Sequence, residues 1–457
     1  METRDWVICR SFAVILFGLL TVGGYAQVDP GIRGGVPGAG QPLSGLTAGQ
    51  LAFFNDPGLT QFSQVEEVSD GLGPRFNLDS CAGCHISPAV GGSSPPTNNP
   101  QVMRAPRMAP GNTVPPFLSI DGPIREVRFI RKTNTTPNRN AHGSSEKDDE
   151  GSVGKANRSL DGGVHDIFTI VGRLDSPEGC KIKQPDFSDT SNMIFRIPTP
   201  TFGLGLIESI TDATLKNNLA SHAGLKRFLG IMGHLNTNGN DGTVTRFGWK
   251  AQNKSLLLFS GEAYNVEMGI TNEIFPNERE EDAKCMNNAL AENHTDFDHG
   301  SEPADIVAFM AFMRFLDQPT PACDAPCSPS ITNGRGLFET IGCALCHTPS
   351  LTTGFSPIEA LNQKPANLFS DLAVHHMGSE LADGVIQGAA GVDEFRTAPL
   401  WGVGQRAFFL HDGRTKDLLK AILAHDSSGS EASKVIEFFQ RLSALEKQDI
   451  LNFLRSL

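Results

Sequence analysis

Cys81-Ala82-Gly83-Cys84-His85 and Cys343-Ala344-Leu345-Cys346-His347 are two copies of one five-residue pattern. In each, two residues separate the cysteines and a histidine follows at once. That spacing lets two thiols on one turn reach the two vinyl positions of a porphyrin. It also puts an imidazole where it can bind the iron from below. A redox dithiol or half of a zinc site needs the paired cysteines but not the adjacent histidine. Two copies point to two covalently bound haem c groups, one held by Cys81, Cys84 and His85, the other by Cys343, Cys346 and His347. The fold that follows is mainly α: two cytochrome c-like helical haem domains with long loops and a few short strands.

Working outward from the motifs, the chain divides into five parts. Arg4 and Arg10 precede an apolar run from Phe12 to Val22, and Gly24-Tyr25-Ala26 offers small residues for cleavage. Residues 1–26 therefore read as a signal peptide, too short to span a bilayer comfortably. The mature chain is expected in the periplasm with no stable membrane span. Residues 27–42, rich in Gly and Pro, read as a flexible lead-in. An N-terminal haem domain with insertions occupies 43–317, with a first helix capped by Thr47. Its segment 131–163 is polar and reads as a solvated excursion. The Pro-rich stretch 318–330 is a linker. The C-terminal haem domain covers 331–457 and ends in a helix opened by a Ser443/Glu446 capping box.

Thirty-eight basic against 51 acidic residues give a formal net charge of −13. Such a chain lacks the basic face that nucleic-acid binding needs, and it suits a basic redox partner. Of nine cysteines, one leaves with the signal and four belong to the motifs. The remaining four, Cys180, Cys285, Cys323 and Cys327, can form disulfides in an oxidising compartment, with the pairing open.

The sixth iron ligand decides the chemistry. An iron with two strong axial ligands carries electrons, and one with an open face binds peroxide or another small molecule. Every remaining His or Met is a candidate on composition alone.

The stretches Phe395-Arg396-Thr397-Ala398-Pro399-Leu400, Phe409-Leu410-His411-Asp412-Gly413-Arg414 and Leu418 to His425 resemble the bacterial dihaem cytochrome c peroxidase superfamily, nearest its dihaem or thiol oxidoreductase branch. Gly71 to Asn77, Arg246 to Ala251 and His376-Met377-Gly378 are similar to the same branch. The resemblance implies that His425 is the second axial ligand of the C-terminal haem, where peroxidases place a Met. Met377 and His376 remain rivals. It implies that Trp249 lies between the haems on the electron path, and that Glu267 is the acid/base group over an open first iron. Glu262 and Glu208 are alternatives to Glu267, and His165 is a candidate for the switchable distal ligand that some relatives carry on the first haem. Phe259 stands where the peroxidases have a Gln. Family members often hold a calcium between the haems, and nothing in this sequence marks that site. The Asn236–Gly242 stretch has the flavour of a calcium loop and also of a plain turn.

The function expected is reduction of hydrogen peroxide, or another small oxidant, with electrons from a small redox protein. An electron-transfer cytochrome with both irons six-coordinate, and an oxidase or oxygenase acting on an organic or thiol substrate, are the competing expectations.

Overall fold

The computed structural model describes residues 27–100, 102–130, 164–278, 282–286, 291–298, 303–323 and 327–457. Residues 1–26, read above as a signal peptide, and the polar stretch 131–163 lie outside the described residues. Among those described, no helix is long and apolar enough to cross a membrane.

The N-terminal half opens with α1 (Ala48–Phe53), capped by Thr47 in a full capping box with Gln50. A π-type stretch leads into α2 (Thr60–Ser63), and the first motif forms α3 (Cys81–Cys84). After α4 (Arg104–Met108) come α5 (Leu204–Ser209), α6 (Asp212–Ala220), α7 (Ala223–Leu229), α8 (Leu256–Met268) and α9 (Asp305–Phe315). Strands are short. β1 (Arg75–Phe76) pairs with β4 (Phe168–Thr169), and β2 (Glu126–Phe129) lies between β3 (Val164–His165) and β5 (Met193–Arg196). The C-terminal half holds α10 (Pro329–Thr340), β6 (Leu351–Thr352), β7 (Pro365–Ala366), β8 (Val374–His376), β9 (Glu394–Arg396), α11 (Leu418–Leu423), α12 (Ser433–Arg441) and α13 (Ala444–Ser456). The Ser443/Glu446 capping box opens α13.

Helix α9 is apolar all round, so it is buried all round. It forms the axis of the first core. Phe312 stacks on Phe54 at 5.3 Å and packs on Phe62 at 4.6 Å. Phe62 in turn meets the His85 ring at 6.1 Å. In the second half α10 lies against α13, and Phe338 meets both Phe453 (5.5 Å) and the His347 ring (6.2 Å).

The same device sets the helix crossing in each half. A Cβ on Gly205 of α5 would lie 1.9 Å from the Arg314 carbonyl oxygen, and one on Gly334 of α10 would lie 2.0 Å from that of Asp449. Glycine costs about 1 kcal/mol in a helix interior, and here only glycine permits the approach.

The lead-in at 27–42 is not free, contrary to its composition. Asp29 accepts from Arg455 Nη2 (2.6 Å) and from the Leu418 amide (2.7 Å). Arg33 N–H donates to the Gly404 carbonyl (2.8 Å), and Thr320 N–H to that of Gly38 (2.6 Å). Glycine and proline allow an extended path, and a buried ion pair fixes it. Disulfides join Cys180 to Cys285 and Cys323 to Cys327.

Truncating Phe312 to Ala should cost about 3–5 kcal/mol of stability, because its ring joins α9 to the segment that backs His85. Denaturant unfolding of the purified protein reads the loss.

Candidate active site: two cavities that share a tryptophan

Each motif makes the same turn. The His85 amide donates to the Cys81 carbonyl and the His347 amide to that of Cys343, both at 2.9 Å. Each motif then opens onto its own cavity, of about 230 Å³ for Cys81, Cys84 and His85 and about 220 Å³ for Cys343, Cys346 and His347. The two imidazoles are held alike. His85 Nδ1 donates to the Gly92 carbonyl and His347 Nδ1 to that of Phe369, both at 3.0 Å. A ring that donates from Nδ1 leaves Nε2 as the nitrogen available to a metal. Burial lowers both imidazoles to about 4, so neither carries a proton that would block ligation. Burial also pushes the Cys343 thiol up to about 12 and those of Cys81 and Cys84 higher still.

The second cavity contains a further imidazole of the same kind. His425, at the end of α11, donates from Nδ1 to the Ala421 carbonyl (2.8 Å) and lines the cavity with His347. Burial lowers its pKa, and a charge on it would lower that of His347. Met377 also lines this cavity. His376 does not: it is half exposed and bound to Asp393 (2.9 Å) and Glu394 (3.3 Å). His375 is buried between Glu431 (2.7 Å) and Asp371 (3.1 Å), close to Cys346. Cys346, Asp371 and His375 bring ligand atoms within 4.8 Å of one another. Both nitrogens of His375 already serve carboxylates, so the cluster reads as a hydrogen-bonded wall of the cavity.

Buried guanidinium groups test whether a haem fits these spaces. Arg396 and Arg406 line the second cavity, and burial lowers both to about 10. Arg396 Nε and Nη1 have no hydrogen-bond partner among the described residues, nor do Arg125 Nε and Arg196 Nε at the first cavity. A buried cation without a counterion is costly, and Arg396 has none among the described residues, whereas Arg196 is paired with Asp383. A haem carries two propionate carboxylates, the chemistry that Arg396 lacks. The residues fit the group.

The upper side of the first cavity is built differently. His85 is the one imidazole among its described lining residues, and carboxyl groups take the place of a second. Glu262 and Glu267 come from α8, and Glu126 from the start of β2. Burial, then the neighbouring Glu126, raises Glu267 well above the usual carboxyl range. Asn77 Nδ2 donates to Glu267 Oε2 (2.8 Å). Glu262 is raised by burial and bonded to Asn253. Phe259 also lines the cavity, and the Gln252 amide lies on the same wall. Met268 and Met313 contribute thioethers. Glu208 is elsewhere: it accepts from the Leu256 amide and from Arg314 Nε, both at 2.8 Å, anchoring the start of α8.

Trp249 lines both cavities. Its indole N–H donates to the Ile197 carbonyl (2.9 Å), while its own carbonyl accepts from the Arg396 amide (2.9 Å). The Ile197 amide donates to the His411 carbonyl (2.8 Å). The His411 ring stacks on Phe395 at 4.3 Å and meets Trp249 edge-on at 6.4 Å. The Asn236–Gly242 stretch is a turn whose Asp241 carboxylate is engaged by Lys254 and Thr243. His165 falls in β3.

Sequence reasoning missed Glu126, Gln252 and the two arginines. Glu126-Val127-Arg128-Phe129 does carry the polar/apolar alternation of a strand, but nothing in it says which helix it faces.

A family model described as "Di-haem oxidoreductase, putative peroxidase" matches residues 164–457. No curated protein matches the chain. Among solved structures, a MauG-like protein associated with microbial copper homeostasis is 20% identical, over 62% of this chain and 95% of its own, with a TM-score of 0.31. The diheme peroxidase BthA from Burkholderia thailandensis E264 is 14% identical, over 62% and 92%, with a TM-score of 0.27. Hydrazine synthase from Kuenenia stuttgartiensis is 18% identical, over 34% of this chain and only 55% of its own, with a TM-score of 0.24. TM-scores this low leave the site to be read from the chain's own residues.

Burial holds His411 down at about 4, against an ordinary value of 6.5. The folded chain keeps it neutral where the unfolded chain would protonate it. Its contribution is therefore complete above about 6.5 and is lost as pH falls toward about 4. The melting temperature of His411→Gln should fall less steeply than that of the parent protein over that window.

Proposed function

This chain belongs to the di-haem oxidoreductase family, and from that membership we propose that it is an exported enzyme with two covalently attached haems that reduces hydrogen peroxide with electrons from a small redox protein. Cys81, Cys84 and His85 hold the first haem, and Cys343, Cys346 and His347 the second.

One observation carries the reading: the two cavities are unequal. The second presents two imidazoles, His347 and His425, each with Nδ1 given to a backbone carbonyl. That pair suits a six-coordinate relay of modest potential. The first presents one imidazole and a half-buried carboxyl, Glu267, whose environment favours the protonated form. Haem iron, when bound, supplies electrons and an open coordination position for a small oxidant.

The chain's own residues supply the rest. Peroxide takes two electrons and two protons to become two waters. Glu267 holds a proton at the cavity wall and gives it to the departing oxygen as the O–O bond breaks. Asn77 fixes the carboxyl's orientation, and Phe259 and Ile167 keep the cavity largely apolar. Trp249, common to both cavities, is the electron path between them. The donor docks outside and reaches the second haem first.

A pure electron-transfer role has one observation in its favour, the thioethers of Met268 and Met313 in the first cavity. Either as a sixth ligand would close that iron, and a spectrum of the oxidised protein without any high-spin component would decide for this reading.

Glu267→Gln should lower peroxide turnover by about 10²–10⁴-fold with both haems retained; unaltered turnover removes Glu267 from the chemistry. His425→Gly should convert the second haem from low-spin to high-spin in optical and EPR spectra. A persistent low-spin signal would assign the ligand elsewhere, with Met377 next in line.

A further inference from the structure

We propose that Arg396, with Arg406 beside it, is the propionate-binding site of the second haem, an assignment that rests on the two-haem reading above and not on peroxide as the substrate. Arg396 is then a positioning residue. It turns the propionate edge of that haem toward Trp249 and makes its iron easier to reduce.

Arg396 ends β9, and its backbone is pinned. Its amide donates to the Trp249 carbonyl, and the next amide, of Thr397, donates to the Ala373 carbonyl, both at 2.9 Å. Val374 of β8 is its cross-strand partner. The side chain has no such anchor. Only 6% of Arg396 is exposed, yet Nε and Nη1 have no hydrogen-bond partner among the described residues. The residue lines the second cavity and also a small adjoining one, whose wall it shares with Trp249, Trp401 and Arg406.

Arg406 adds a second cation to the same wall. It follows the short turn Val403–Gln405, lines both cavities and is half-buried. Burial, then repulsion from Arg406, lowers Arg396 to about 10. Two like charges in a largely apolar wall need an anion. The described residues do not supply it. Glu431 is the one carboxylate among those lining the second cavity. It is bonded to His375 (2.7 Å) and accepts from the Met232 and Gly233 amides. Glu394, two residues before Arg396 on the same strand, serves His234, His376 and the Gly391 amide.

A porphyrin held by thioethers at its vinyl positions carries its two propionates on the opposite edge. Cys343 and Cys346 would fix one edge and Arg396 the other. A guanidinium takes a carboxylate through charge-assisted hydrogen bonds, which are stronger than neutral ones. The Arg396 amide also holds the Trp249 carbonyl, so one residue fixes both ends of the step from the second haem to the indole. Its charge offsets that of the propionate. With that charge in place the ferric state is favoured less, which raises the low potential that two imidazoles set.

The test compares haem-loaded wild type with Arg396→Met and Arg396→Lys. Mass spectrometry of the peptide that carries Cys343 and Cys346 comes first. A bare peptide from wild type overturns the two-haem reading and this assignment with it; an attached haem passes the decision to two spectroscopic measurements. Resonance Raman spectra read the propionate bending modes. Arg396→Met should shift one of them, and Arg396→Lys should bring it part of the way back. Spectropotentiometry should show a lower potential for the low-spin haem in Arg396→Met, restored in part in Arg396→Lys, with the low-spin spectrum kept. Propionate modes identical in Arg396→Met and wild type overturn the proposal even where the potential falls, because a bare charge or a packing role gives that result. A fall confined to the other haem overturns the assignment to the second. If Arg396→Met fails to fold, Arg396→Lys decides. Its shorter side chain should move the mode, and an unmoved mode overturns the proposal.

Discussion

An imidazole buried among apolar side chains has two nitrogens and one proton to place between them. In this chain the backbone takes the same side each time. Gly92, Phe369 and Ala421 offer carbonyls to Nδ1 of His85, His347 and His425. Each contact fixes a tautomer and a ring direction, and each leaves the lone pair on Nε2, the nitrogen that a metal would take. Much of the surrounding packing serves these contacts. Phe62 and Phe338 back two of the rings, and the glycine-permitted helix crossings bring their supporting helices close. The difference between the cavities reduces to a count: two such imidazoles in one, one in the other.

The halves meet along a seam that is polar at its centre. Arg196 and Lys250 both bind Asp383, at 2.6 and 3.1 Å, with almost no solvent access. Lys250 Nζ also reaches the Gly391 carbonyl (2.7 Å) and lies over the Phe395 ring (4.2 Å). Such a cluster adds little net stability over apolar packing, but losing one member strands a buried charge. Its effect is positional. It holds the residue after Trp249 and the ring on which His411 stacks, so the indole shared by the two cavities has no freedom to drift.

Features written in consecutive residues were readable from the sequence. The turns of the two Cys-x-x-Cys-His motifs, the Thr47 cap, the Ser443 capping box and the largely apolar α9 each need only a local pattern, and each forms where the pattern lies. Features that depend on which segments meet were not readable. Glu126 reaches the first cavity because β2 runs beside β5, which no spacing encodes. Arg396 stands within a recognised stretch, yet its lack of a counterion is visible only once the cavity is built around it. The lead-in looked loose because Gly and Pro dominate it, whereas the single Asp29 that pins it to Arg455 is 426 residues away in the chain. The disulfide pairing was likewise a matter of which loops come together.

The protonated state of the motif thiols has a consequence for the order of biogenesis. Cys81, Cys84 and Cys343 are half-buried on the cavity walls, and burial raises each thiol above its ordinary range. A thiol that ionises poorly is a poor nucleophile. Under thioether attachment as proposed, a chain that folded first would offer less of the reactive thiolate. It would also already have paired Cys180 with Cys285 and Cys323 with Cys327. Attachment is therefore favoured while the polypeptide is still open and the thiols ionise freely, with the porphyrin as a template on which the interior closes.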